Sequence, residues 1–134
     1  MAAKTVDELL AAAREHLHRL DPAAAMKAQN AGASLIDIRS ETQIATDGTI
    51  PGALVIPRNV LEWRLDPTGA YRHPQAPGTE GHVIVFCDAG YQSSLVAATL
   101  QELGFHRATD LDGGFQAWRK AGLPVAPPVS ALPN

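Results

Sequence analysis

The stretch Val83-Ile84-Val85-Phe86-Cys87-Asp88-Ala89-Gly90-Tyr91-Gln92-Ser93-Ser94-Leu95 passes from an unbroken apolar block, through a short polar loop, into apolar residues at helical spacing. Four consecutive β-branched or aromatic residues mark a strand buried on both faces of a parallel sheet. The loop holds the single cysteine of the chain. Cys87 therefore stands at the carboxyl end of a central strand, where open α/β sheets bind their ligands. The loop amides and the helix start near Ser93 direct donors and partial positive charge back toward the sulfur. Such a setting favours the thiolate, which is the nucleophile. A lone cysteine elsewhere reads as a small buried hydrophobe; strand, loop and helix together make Cys87 a candidate catalytic residue.

Working outward, the flanking segments alternate between strand and helix patterns. Thr5 and Glu8 form a capping-box pattern ahead of Val6, Leu9, Leu10, Ala13 and Leu17, which predicts a first helix over residues 5–18. Asp21 and Pro22 predict a second helix, running through Ala31 to a stop at Gly32. Between them, residues 17–20 fit either a short edge strand or a plain connection. Residues 33–39 form an apolar strand closed by Asp37 and Arg39, residues 40–45 suit one or two helical turns, and residues 53–56 form a second buried strand ended by Pro57. Asn59 is placed to cap a short helix over residues 60–65. Residues 70–81 read as a surface loop of about a dozen residues, a length often tied to function or mobility. Beyond the Cys87 helix, which ends at Gly104, residues 107–111 form a shorter, more polar strand. Asp112-Gly113-Gly114 then gives a flexible turn into a helix carrying Phe115, Trp118 and Ala121. Strands alternating with helices imply right-handed crossovers and a parallel sheet covered on both faces.

Composition bounds the function. At 134 residues the chain is one domain with room for a sizeable core. Its hydrophobic content of 46% and charged content of 19% are globular rather than disordered. The net charge is -3 with dispersed basic residues, so neither nucleic acid nor an anionic membrane is the expected partner. One cysteine excludes an internal disulfide, and the scattered histidines make a zinc site an unfavoured reading. No signal-peptide core and no membrane-length apolar run are present, which points to a cytoplasmic address.

Four ordered segments carry a resemblance. They are Leu35-Ile36-Asp37-Ile38-Arg39, Gly48-Thr49-Ile50-Pro51-Gly52-Ala53, the loop from Cys87 to Ser93, and Leu111-Asp112-Gly113-Gly114-Phe115-Gln116-Ala117-Trp118. In this order and spacing the chain resembles the single-domain rhodanese-like (sulfurtransferase) family. The resemblance implies a central, mostly parallel five-stranded sheet with helices on both faces, with residues 17–20 as the remaining strand. It divides the chain into an N-terminal helical extension (residues 1–16), a rhodanese-like domain (17–124) and a proline-rich tail (125–134), the tail extended or disordered.

The chemistry implied is transfer of sulfane sulfur. The Cys87 thiolate takes sulfur from a small donor such as thiosulfate, glutathione persulfide or polysulfide. It holds that sulfur as a persulfide and passes it to cyanide, a thiol or a protein acceptor. The loop residues Asp88, Ala89, Gly90, Tyr91, Gln92 and Ser93 form the substrate cradle, with Gly90 allowing the backbone to curl. No metal or organic cofactor is required. Arg58, just past the second strand, is a candidate for the cradle rim.

Three positions depart from the family pattern. Asp88 and Gln92 stand where many active relatives carry cations, and Thr49 stands where histidine is usual. A carboxylate beside the nucleophile opposes thiolate formation and repels a dianionic donor. Asp88 and Gln92 favour an alternative reading, a non-catalytic binding or redox-sensing module. A phosphatase loop would require arginine at position 93 to grip phosphate, and this chain has Ser93. Arg39 is expected to pair with Asp37 or a neighbouring loop. Tyr91 and Trp63 are candidate pocket walls, Trp63 fitting the core equally well by its spacing. Phe115 and Trp118 read as packing, and no histidine is assigned a role.

Overall fold

The helix starts follow local chemistry. In the computed structural model, which describes residues 2–128, α1 (Val6–Arg14) opens with the reciprocal Thr5 and Glu8 bonds, each 3.1 Å, and α2 (Pro22–Asn30) opens with the Asp21 side chain accepting from the Ala24 N–H at 2.8 Å. After β1 (Ser34–Asp37), α3 (Glu41–Asp47) carries a second capping box, Ser40 with Gln43. Then come β2 (Leu54–Val55), a 3-10 turn (Arg58–Val60) leading into α4 (Leu61–Leu65), β3 (Val83–Phe86), α5 (Gln92–Glu102), β4 (Thr109–Asp110) and α6 (Gly114–Lys120). The expected Asn59 cap is absent, because the 3-10 turn already includes that residue.

The sheet runs β2-β1-β3-β4 with every pair parallel. The chain leaves β1 toward β2 on one side and returns to β3 on the other. The crevice beyond the carboxyl ends of β1 and β3 is thus the topological switch point, where such sheets bind ligands. Cys87 follows directly from β3 there.

Two expectations are corrected. The sheet has four strands rather than five: Leu20 makes only an isolated parallel bridge to Leu111, because Asp21 and Pro22 start α2 at once. The segment over residues 53–56 is an edge strand of two residues rather than a buried one, and Val55 is 42% exposed.

Alternation along the central strands sorts the core into two layers. Ile36, Val83, Val85 and Cys87 face a cluster containing Val96, Ala97 and Leu100 from α5 and Leu61 and Leu65 from α4. Leu35, Ile84 and Phe86 face Ala25 from α2 and Phe115 and Trp118 from α6. α1 packs against α5. At the other end, Ala126 pairs antiparallel with Thr49, so the first tail residues are extended along the domain; residues 129–134 lie outside the described residues. No helix among the described residues is long and apolar enough to cross a membrane.

Candidate active site

Cys87 is 2% exposed, and its sulfur accepts the Gly90 N–H at 3.2 Å. The curl that brings this donor back requires the positive φ of +87° at Gly90. Among the described residues, the N–H groups of Ala89 and Tyr91 meet no acceptor. They are donors in reserve for an anion over the sulfur.

The floor of the loop is the start of α6. The Phe115 N–H donates to the Cys87 carbonyl at 2.9 Å and the Gln116 N–H to the Asp88 carbonyl at 3.1 Å. A Cβ on Gly114 would lie 2.6 Å from the Cys87 carbonyl oxygen and 2.7 Å from the Asp88 carbonyl carbon, so only glycine permits this approach. The Gly113-Gly114 pair is a fitted packing surface here, where the sequence suggested a flexible turn.

The structure brings the loop residues together around the sulfur but gives their side chains different partners. The Asp88 carboxylate accepts from Gln116 Nε2 at 2.8 Å and lies 3.9 Å from Arg39 Nη1, so it leans toward α6. Ala89 and Tyr91 are exposed at the surface. Gln92 Oε1 accepts from Arg58 Nη1 at 2.9 Å, which puts Arg58 on the cradle rim with its head in solvent. Ser93 is fully buried, and its hydroxyl donates to Asp110 Oδ2 at 2.8 Å; the Ser94 hydroxyl donates to the same oxygen at 2.8 Å. Trp63 is 61% exposed and so lies outside the core.

Arg39 does pair with Asp37, through Nε at 3.0 Å and Nη2 at 2.8 Å, and both side chains are buried. Its guanidinium also stacks 3.9 Å from the centre of the Phe115 ring. Thr49 donates its hydroxyl to Asp37 Oδ2 at 2.6 Å, adding a second partner to the carboxylate that holds Arg39.

Sequence reasoning missed the outer ring of the site. Arg19 donates to Asp110 through Nε at 2.9 Å and Nη2 at 3.2 Å, to Asp112 through Nη1 at 3.1 Å, and to the Gly90 carbonyl at 2.8 Å. Burial opposes its charge most, but the bond and charge of Asp110, with Asp112 and Cys87, outweigh burial and raise its pKa above the ordinary value. Arg14 Nη2 reaches the same Gly90 carbonyl at 2.9 Å and its Nε reaches Ser94 Oγ at 2.9 Å. Partners 71 to 93 residues apart leave no local signal; the polar character of residues 107–111 was the only trace of Asp110.

Comparison with known proteins agrees with this arrangement. The Rhodanese-like domain family matches residues 21–121. The chain is 33% identical to a sulfurtransferase of Allochromatium vinosum over 94 residues, covering 70% of this chain and 78% of that one. It is 34% identical to the thiosulfate sulfurtransferase GlpE of Stutzerimonas stutzeri over 101 residues, covering 75% and 84%. A solved structure from Rhodopseudomonas palustris, of unknown function and described as a possible tyrosine phosphatase, superposes with a TM-score of 0.85 at 30% identity and covers 94% of this chain and 97% of that one. With its cysteine at the switch point of a parallel sheet and the start of α6 packed against the cysteine loop, the chain belongs to the family of rhodanese-like domains.

Proposed function

We propose that this protein is a sulfurtransferase that carries sulfane sulfur as a persulfide on Cys87. The observation that supports this most is the cradle itself: one amide already on the sulfur, and the Ala89 and Tyr91 amides without acceptors among the described residues. In the first half-reaction the thiolate attacks the outer sulfur of a donor, the donor's S–S bond breaks, and the leaving group takes the bonding pair. With thiosulfate that leaving group is sulfite; with glutathione persulfide it is glutathione thiolate. In the second, a nucleophile attacks the terminal sulfur and the Cys87 thiolate departs. Cyanide becomes thiocyanate by this step, and a thiol or a protein cysteine becomes a persulfide. The free amides stabilise the anion in both states, where charge develops on sulfur rather than on oxygen. Arg58, held by Gln92, supplies a cation on the rim from the segment after β2.

The test is turnover with cyanide as acceptor. Wild type forms thiocyanate with at least one of thiosulfate, glutathione persulfide or polysulfide, and Cys87→Ser forms none above the uncatalysed rate. Equal rates from the two proteins would end the proposal.

Asp88 and Gln92, which put no cation into the Cys87 loop, favour a second reading, a non-catalytic binding or redox-sensing module. That module would give no turnover with any donor while still oxidising reversibly at Cys87. The phosphatase description of the Rhodopseudomonas palustris protein is not carried over. No arginine lies between Cys87 and Ser93, and Ser93 already donates its hydroxyl to Asp110.

A further inference from the structure

The N-terminal segment outside the family match touches the Cys87 loop. Two guanidinium groups, from Arg14 at the end of α1 and Arg19 just before α2, converge on one backbone carbonyl, that of Gly90, at 2.9 and 2.8 Å. The contacts close into a ring: Arg14 to Ser94 at 2.9 Å, Ser94 to Asp110 at 2.8 Å, Arg19 to Asp110 at 2.9 Å, and both arginines to Gly90. A trans peptide is planar, so its C=O and N–H point in opposite directions. Holding the Gly90 carbonyl outward therefore turns the Tyr91 N–H away from the arginines, back into the loop. Charge-assisted bonds at the oxygen also polarise that N–H into a stronger donor.

The charge balance points the same way. Asp110 and Asp112 both engage Arg19, whereas Arg14 has no acidic partner among the described residues. Of the other groups around the loop, Asp88 is held by Gln116 beside Arg39, and Arg58 is held by Gln92 in solvent. Arg14, like Arg58, is thus a cation beside the loop with no acidic partner among the described residues.

We propose that Arg14 and Arg19 are positioning residues of the sulfur site: by gripping the Gly90 carbonyl they aim the Tyr91 amide inward and supply the positive charge that Asp88 and Gln92 do not. The α1 segment is then a working part of the active site, contributed from outside the matched domain. The inference rests on the sulfur-transfer reading for its purpose, and its test does not depend on that reading.

The test is alkylation of Cys87 by iodoacetamide in Arg14→Leu, Arg14→Lys and wild type, with the melting temperature recorded for each. Arg14→Leu reacts about fivefold more slowly than wild type at about pH 7 and at the same rate at about pH 10, where the thiol ionises without help. Arg14→Lys, which keeps the charge, recovers most of the rate. If Arg14→Leu does not fold, Arg14→Gln carries the same comparison. Alkylation equal to wild type at about pH 7, or slowed by the same factor at both pH values, overturns the proposal, the latter because it reports access rather than charge. A wild type that accepts no sulfur while the Arg14 dependence holds would sink the sulfurtransferase reading and leave this inference standing.

Discussion

Asp88 and Arg39 differ in how far a residue's role can be read from its neighbours in sequence. Asp37 and Arg39 are two apart at a strand end, and their pairing was legible because both charges fall where the strand leaves the core. Asp88 was legible only as a carboxylate beside the nucleophile; its partner Gln116 is 28 residues away and gave no sign. The geometry changes how Asp88 is best probed. Arginine at position 88 would stand against buried Arg39, so Asp88→Asn, which keeps an acceptor for Gln116, is the cleaner variant. Removing one negative charge from the rim is expected to raise kcat/KM for dianionic thiosulfate about threefold to tenfold, with the gain shrinking at high salt. No gain at low salt would show that Asp88 does not repel the donor. Asp37→Ala leaves Arg39 buried without its carboxylate and is expected to cost about 3–5 kcal/mol in urea unfolding. A loss under about 1 kcal/mol would mean that the Gly48 carbonyl, which accepts from Arg39 Nη2 at 2.6 Å, and the Phe115 ring suffice to hold the cation.

At the scale of elements, what was legible followed from local chemistry and what was not followed from tertiary contact. Capping residues marked the starts of α1 and α2 because a cap is satisfied within one turn. The short β2, by contrast, looks buried in sequence because its apolar run is the same whether a strand is central or at an edge. The Leu17 to Leu20 segment fell short of a strand because Pro22 begins the next helix two residues later. Gly113-Gly114 was misjudged for a related reason. Two glycines read as freedom, yet here they admit the Cys87 loop onto the end of α6. Gly114→Ala would force a Cβ into the Cys87 and Asp88 carbonyls at a φ of +64°. It is expected to lower stability by about 1–3 kcal/mol and to slow both alkylation and sulfur loading of Cys87. A variant with wild-type melting and wild-type alkylation would show that the floor of the loop is softer than its contacts imply.

For the whole molecule, the parallel sheet puts His82 and Cys87 at opposite ends of one central strand. His82 precedes β3, whereas Cys87 follows it, so changes at His82 should leave sulfur transfer alone. Burial, and secondarily the charge of Arg107, lowers the His82 pKa from its ordinary 6.5. The sign follows by linkage. Above 6.5 both folded and unfolded chains hold the imidazole neutral; as the pH falls below it, the unfolded chain takes up the proton first and stability declines until the folded pKa is passed. His82→Gln is therefore expected to flatten the loss of stability below about pH 6.5, measured as melting temperature against pH. An unchanged slope would assign that loss to other groups. At the switch-point end, the fold class and Cys87 could be read from one strand and loop, while the arginine and aspartate ring that surrounds the loop required the folded chain. The most direct measurement is intact mass of the reduced protein after exposure to thiosulfate, glutathione persulfide and polysulfide, with peptide mapping of Cys87. At least one donor is expected to add one sulfur atom to Cys87, removable by cyanide and absent in Cys87→Ser; no added sulfur on Cys87 from any of the three would contradict the account.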